Sequence, residues 1–203
     1  MIGVIFATEG EANPFLNRYQ RGRFRGLSEG ETLQDNHVLV SLTGVGKIKA
    51  TLRTERLLQH HRLTRLLHVG TCTALNEALQ VGAPVAASQV FEGDRVELAT
   101  PTYPRMPLDV PFKTLPTATL VTQDHSVRGE NERSYWQRIA DISDMSGYAV
   151  AYVAATHGVP CHIVKVVTGY LHGQNKDFRK ILSSACDTIA DFLFEGLEVL
   201  QEK

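Results

Sequence analysis

Between Thr64 and Val90 the chain reads TRLLHVGTCTALNEALQVGAPVAASQV. The apolar run Leu66-Leu67-His68-Val69 meets the small residues Gly70-Thr71-Cys72-Thr73. A short polar bend follows, and Gly82 introduces a second apolar run from Pro84 to Val90. The pattern predicts a buried strand that stops at a loop of small residues and is succeeded by another strand. In an open α/β sheet, ligands sit beyond the carboxyl ends of the strands. Gly70 lets a ligand approach the backbone closely, and the hydroxyls of Thr71 and Thr73 can donate to an anion or a ribose. An ordinary turn after a strand has the same composition, and this stretch alone leaves both readings open.

Strand-like and helix-like runs alternate along the rest of the chain. Ile2 to Phe6 predicts a first buried strand, Ala7 to Glu11 a strand-to-helix loop, and Asn13-Pro14 a helix start with Phe15, Leu16 and Tyr19 on one stripe. Gly22 to Thr43 predicts antiparallel strands ending in the core strand Val38–Leu42. Thr43-Gly44-Val45-Gly46-Lys47 opens a helix from about Ile48 to His60, and its glycine N–H groups can cradle an anion. The segment from Ala99 to Pro116 carries five prolines, too many for regular structure over much of its length. It is expected to form a wall or lid of the site, or an excursion packed on a partner subunit. Ala118–Thr122, Ile142–Met145 and Pro160–Thr168 predict further strands. Glu130–Ile139, anchored by Trp136, Ser146–His157 and Lys176–Gln201 predict helices, the last burying Phe178, Ile181, Leu182, Ile189, Phe192, Leu193 and Leu197. The alternation implies one α/β domain over residues 1–203 with a mixed, mostly parallel sheet.

Composition narrows the partners. A net charge of −1 over 203 residues supplies no field for nucleic acid or an anionic membrane. No apolar run has membrane-spanning length, and Met1 leads into the first strand without a basic leader, so a cytoplasmic protein is expected. Three cysteines, odd in number and widely spaced, predict neither a disulfide framework nor a zinc site, and no cofactor is called for.

Five motifs taken in order resemble the nucleoside phosphorylase and nucleosidase superfamily, most closely its methylthioadenosine/S-adenosylhomocysteine nucleosidase branch. They are Ile2-Gly3-Val4-Ile5 leading to Glu9 and Glu11; Val45-Gly46-Lys47-Ile48 with Ala50; Val69-Gly70-Thr71-Cys72 through Leu75 with Val81-Gly82; Asp144-Met145-Ser146-Gly147-Tyr148-Ala149; and Val164 through Gly169. The resemblance covers nearly the whole chain. It implies a partly closed sheet of nine to ten strands flanked by helices, a homodimer or larger assembly, and cleavage or phosphorolysis of a purine nucleoside's N-glycosidic bond. Carried over, Glu11 is the carboxylate that activates the attacking water, Thr71 is the hydroxyl beside it, and Met145 packs under the ribose. Gly70, Cys72 and Asp144 complete the substrate-binding motifs. Positioning water suits a reaction in which the ribosyl carbon gains oxocarbenium character.

Two positions depart from the pattern. Ser146 stands where the family has a ribose-binding glutamate, and Gly169 stands where it has the aspartate that protonates the purine. Loss of a general acid costs about 100- to 10,000-fold in rate. Asp177, then His172, are the expected substitutes, with Tyr170 and Lys165 flanking the position; each also reads as a loop or helix-start residue. A phosphorylase is an alternative, because Gly70-Thr71-Cys72 matches that branch closely, yet Glu9 and Glu11 would repel phosphate and His68 stands where phosphorylases often have arginine. A nucleoside-binding relative without turnover is the third reading.

Overall fold

In the computed structural model, which describes residues 1–19, 26–95, 102–170 and 177–201, Gly70 to Thr73 are not a loop. They continue β4, which runs from Arg65 to Ala74 and is the long central strand. The reason is lateral pairing. β9 (Cys161–Gly169) lies parallel to β4 in a register that sets Leu66 beside Cys161 and Gly70 beside Lys165 and reaches Cys72 before a bulge. A backbone paired on its flank has no cause to turn.

Around β4 stand β1 (Ile2–Phe6), β2 (Thr32–Gln34), β3 (Val38–Leu42), β5 (Pro84–Glu92), β6 (Arg105–Pro107), β7 (Thr117–Thr122) and β8 (Ile142–Asp144). The order is β2-β3-β1-β4-β8-β7-β5-β6, and β9 pairs with both β4 and β5. The ring β4-β8-β7-β5-β9 therefore closes on itself, while β1, β2 and β3 extend it as an open sheet. Parallel and antiparallel pairs are mixed.

Helices cover both faces. On one face α1 (Glu9–Arg18) buries Ala12, Phe15 and Leu16 against α5 (Phe178–Gln201), which buries Ala185, Ile189, Leu193 and Leu197. On the other, α2 (Lys47–His60) and α4 (Gly147–Thr156) pack on each other and on Ile5, Leu66 and Ile163. The alanines of α4 permit that close approach. α3 (Glu130–Trp136) is anchored by Trp136, 4% exposed, against Phe91.

Several expectations shift. α1 starts at Glu9, five residues before Pro14, because Thr8 and Glu11 form a reciprocal capping box that nucleates the turn earlier. On α5 the buried stripe is led by Ala185 and Ile189, while Ile181, Leu182 and Phe192 are only half-buried. The described part of the proline segment holds β6, bonded to the free edge of β5. The α2 start meets the carboxylate of Asp124, whose Oδ1 accepts from the Lys47 N–H at 2.8 Å. The beginnings of the 22–43, 99–116 and 176–201 segments lie outside the described residues.

Candidate active site

Glu11 is the third residue of α1, and two elements meet on its carboxylate. Oε2 accepts from the Thr8 N–H and the Thr8 hydroxyl, both at 3.1 Å. Oε1 accepts from the Thr71 N–H at 2.8 Å and the Thr71 hydroxyl at 3.0 Å. Four donors compensate a carboxylate that is 6% exposed and costly to bury without them. The capping box fixes the helix end, and β4 reaches past the end of β1 to supply the second pair.

Gly70 earns its place through space. A Cβ there would lie 2.9 Å from Glu11 Oε1 and 3.3 Å from Lys165 Nζ. Its register partner Lys165 is 2% exposed. The ammonium sits 2.9 Å from Asp144 Oδ2 and 2.8 Å from His68 Nε2. Asp144, at the end of β8, also accepts from the Thr122 hydroxyl at 2.7 Å and from the Gly147 N–H at 2.9 Å. Burial pushes the Asp144 carboxyl up, but the Lys165 charge and these donors outweigh it and hold it below its ordinary value.

His68 lies wholly inside. Its Nδ1 is 3.0 Å from the Ile5 carbonyl and donates to it, so Nε2 carries the lone pair. Burial, and next the neighbouring Lys165 charge, lower its pKa to about 3, which keeps the ring neutral. Nε2 also lies 3.0 Å from Ser146 Oγ.

Above this floor opens a cavity of about 770 Å³, within the range of small-molecule sites. Glu11, Thr71, Cys72, Asp144, Met145, Ser146 and Gly169 all line it, with Gly70 directly beneath. Burial pushes the Cys72 thiol well above its ordinary value, so it stays protonated. Asp177 is exposed at the turn before α5 and is not among the lining residues, although Phe178 and Arg179 after it are. His172 lies outside the described residues. The described part of the proline segment, 102–116, contributes no lining residue either, since β6 holds it at the far edge of β5. Lys165 belongs to a buried strand, not to a loop or helix start. Two residues carry more of the floor than the motifs suggested, Lys165 and His68. Their signal was a basic residue inside each of two otherwise apolar strands, an arrangement that is rare without a buried partner.

Among the described residues no cluster of three or more His, Cys, Asp or Glu is placed to hold a metal. No helix among them is long and apolar enough to cross a membrane.

The phosphorylase superfamily model matches residues 1–124 and 106–197. No curated protein matches in sequence. A Helicobacter pylori nucleosidase mutant with 5'-methylthioadenosine in its active site superposes with a TM-score of 0.85 at 20% identity, over 100% of this chain and 98% of that one. The futalosine hydrolase of Helicobacter pylori gives 0.81 at 18% identity, over 100% and 97%. The 5'-methylthioadenosine/S-adenosylhomocysteine nucleosidase of Campylobacter jejuni gives 0.80 at 17% identity, over 100% and 99%. At these identities the likeness is one of fold.

Proposed function

The chain belongs to the phosphorylase superfamily, and from that premise we propose that it hydrolyses the N-glycosidic bond of a purine nucleoside, in particular of a 5'-substituted adenosine. The observation that carries the reading is the Glu11 carboxylate, oriented by Thr8 and Thr71 at the floor of a nucleoside-sized cavity. In this reading Glu11 accepts a proton from the attacking water while the ribosyl carbon becomes cationic. Met145 packs under the sugar, and Cys72, Ser146 and Gly169 line the path of sugar and base. Two carboxylates, one ammonium and a neutral imidazole leave the floor with an excess of negative charge. That charge favours an oxocarbenium ion and opposes a phosphate nucleophile, so hydrolysis is preferred to phosphorolysis.

The leaving purine has no acid at position 169. Asp177 first, and His172 second, are proposed as proton donors because both follow β9 in the chain; Asp177 would have to turn in from the exposed position beside the lining residues Phe178 and Arg179. A binder without turnover is the second reading, and Gly169 is the observation that favours it. Adenine release from 5'-methylthioadenosine, measured for the wild type, Asp177→Asn and His172→Gln, separates them. Nucleoside binding with no release supports the binder, and release unaffected by either change removes both donors from the account.

The reading has one domain acting in the cytoplasm as a homo-oligomer. Ile48, Leu52 and Tyr152, exposed by 74%, 65% and 51% on the paired helices α2 and α4, form an apolar surface suited to a second copy. A monomeric mass by light scattering at micromolar concentration would count against it.

A further inference from the structure

Thr73 is where three strands meet. It stands opposite Ser143 in the antiparallel pair of β4 with β8, and beside Gly169 in the parallel pair of β4 with β9. The register passes over Thr168, so the irregularity falls in β9 and the alternation of β4 is kept. Thr73 therefore shares a face with Thr71, and Ser143, directly across with its Cβ about 5 Å away, shares that face too. On its other flank Thr73 meets a residue without a side chain, so the space beside its hydroxyl is open.

The other hydroxyls around the floor are engaged. Thr71 donates to Glu11 at 3.0 Å, Thr122 to Asp144 at 2.7 Å and Thr168 to the Cys72 carbonyl at 3.0 Å, while Ser146 lies against His68. Thr73 and Ser143 both line the cavity, and neither hydroxyl has a hydrogen-bond partner among the described residues. Their face of the sheet is otherwise apolar: Val121, beside Ser143 in register, and Leu75, two residues beyond Thr73, are wholly buried. A donor in such surroundings interacts more strongly with charge than it would in water.

Their place along the strand also fits the reaction. Two residues of β4 span about 6.6 Å. An in-line displacement sets the departing atom about 7 Å from the carboxylate that holds the water, across one hydrogen bond, one attack distance and the stretching bond. With the water at the Glu11 and Thr71 end, the departing base lies at Thr73 and Ser143.

We propose that the Thr73 and Ser143 hydroxyls donate to the heterocycle as it departs and stabilise the negative charge that gathers on it. The proposal rests on the nucleoside reading above. The bond from the ribosyl carbon to the base nitrogen breaks and its electron pair goes to the base. The water oxygen bonds to the carbon, and the proton that the water loses goes to Glu11. Both hydroxyls keep their protons, and the base takes up its own from solvent or from the donor proposed above. Fixed dipoles thus act on the leaving group without proton transfer.

The test is steady-state adenine release from 5'-methylthioadenosine by the full-length protein. Thr73→Val, which keeps the shape of threonine, and Ser143→Ala should each lower kcat about 10- to 100-fold, the loss expected for one hydrogen bond to a charged group. KM should stay nearly unchanged, because the charge exists only in the transition state. Thr73→Ser, which keeps the hydroxyl and loses the methyl, should retain most of the rate, whereas a merely structural role would follow side-chain shape. The two positions are independent, so a variant that fails to fold at one leaves the other decisive. Wild-type turnover in both variants, equal losses in Thr73→Val and Thr73→Ser, or a loss confined to KM, each in proteins melting like the wild type, would overturn the proposal alone. Nucleoside binding with no adenine release by the wild type would overturn it together with the hydrolytic reading.

Discussion

The two ends of the cavity are built very differently. At the Glu11 end, α1, β4, β8 and β9 each contribute a side chain whose partners are specified, from the four donors on Glu11 to the ion pair of Lys165 and Asp144. At the Gly169 end the strand closes on a residue without a side chain. In the proposed hydrolysis, activation of water needs a base held against burial, and secondary-structure ends and register would meet that demand at Glu11. Protonation of a leaving group needs one movable acid, and nothing in the strand pairing supplies it. The contrast teaches that contacts set by strand register and helix ends specify many partners at once, while a position carried by a single side chain is set by that residue alone.

The largest expected effect probes the Glu11 end. Glu11→Gln should cut adenine release by about 100- to 10,000-fold while leaving nucleoside affinity nearly unchanged. Comparable turnover in the variant would show that the base is elsewhere. Lys165→Met leaves Asp144 buried without its ammonium and should destabilise the fold by about 3–5 kcal/mol, read by denaturant titration. Adding Asp144→Asn should recover part of that loss, and additive losses would break the claim that the two form a pair.

Gly169→Asp addresses the other end. Placing a carboxyl there should raise the rate of adenine release, by about 100-fold at the lower bound for a general acid, and no gain would mean that the leaving group is already served from the 171–177 segment. A separate effect is on pH. Because His68 is held near 3 in the folded state and titrates near 6.5 when unfolded, the unfolded chain binds the extra proton between those values. Stability is then fully present above about 6.5 and declines as pH falls toward 3. His68→Gln should flatten this slope in melts recorded across the window.

Much of the architecture was legible in the chain. Apolar runs separated by glycines located nearly every strand, and the spacing of Phe15, Leu16 and Tyr19 or of Ile189, Leu193 and Leu197 marked helix faces, because burial imposes its period on any chain that forms a core. Glu11, Thr71 and Met145 were legible as candidates from motifs in order. The continuation of β4 through Gly70 was not. Small residues read locally as a turn, while the partner that keeps them extended lies about a hundred positions away in β9.

The α/β order of elements was determined by the sequence alone, since it depends on local periodicity, and the two absent carboxylates were read from the chain's resemblance to its family. What the residues of the cavity floor do to one another was decided only by the tertiary structure. Register set Lys165 beside Gly70, closure of the ring brought β8 against β4, and the Ile5 carbonyl chose which nitrogen of His68 would accept. Hydrogen-bond direction and charge compensation act over a few ångströms, and it is folding that brings residues far apart in the chain within that reach.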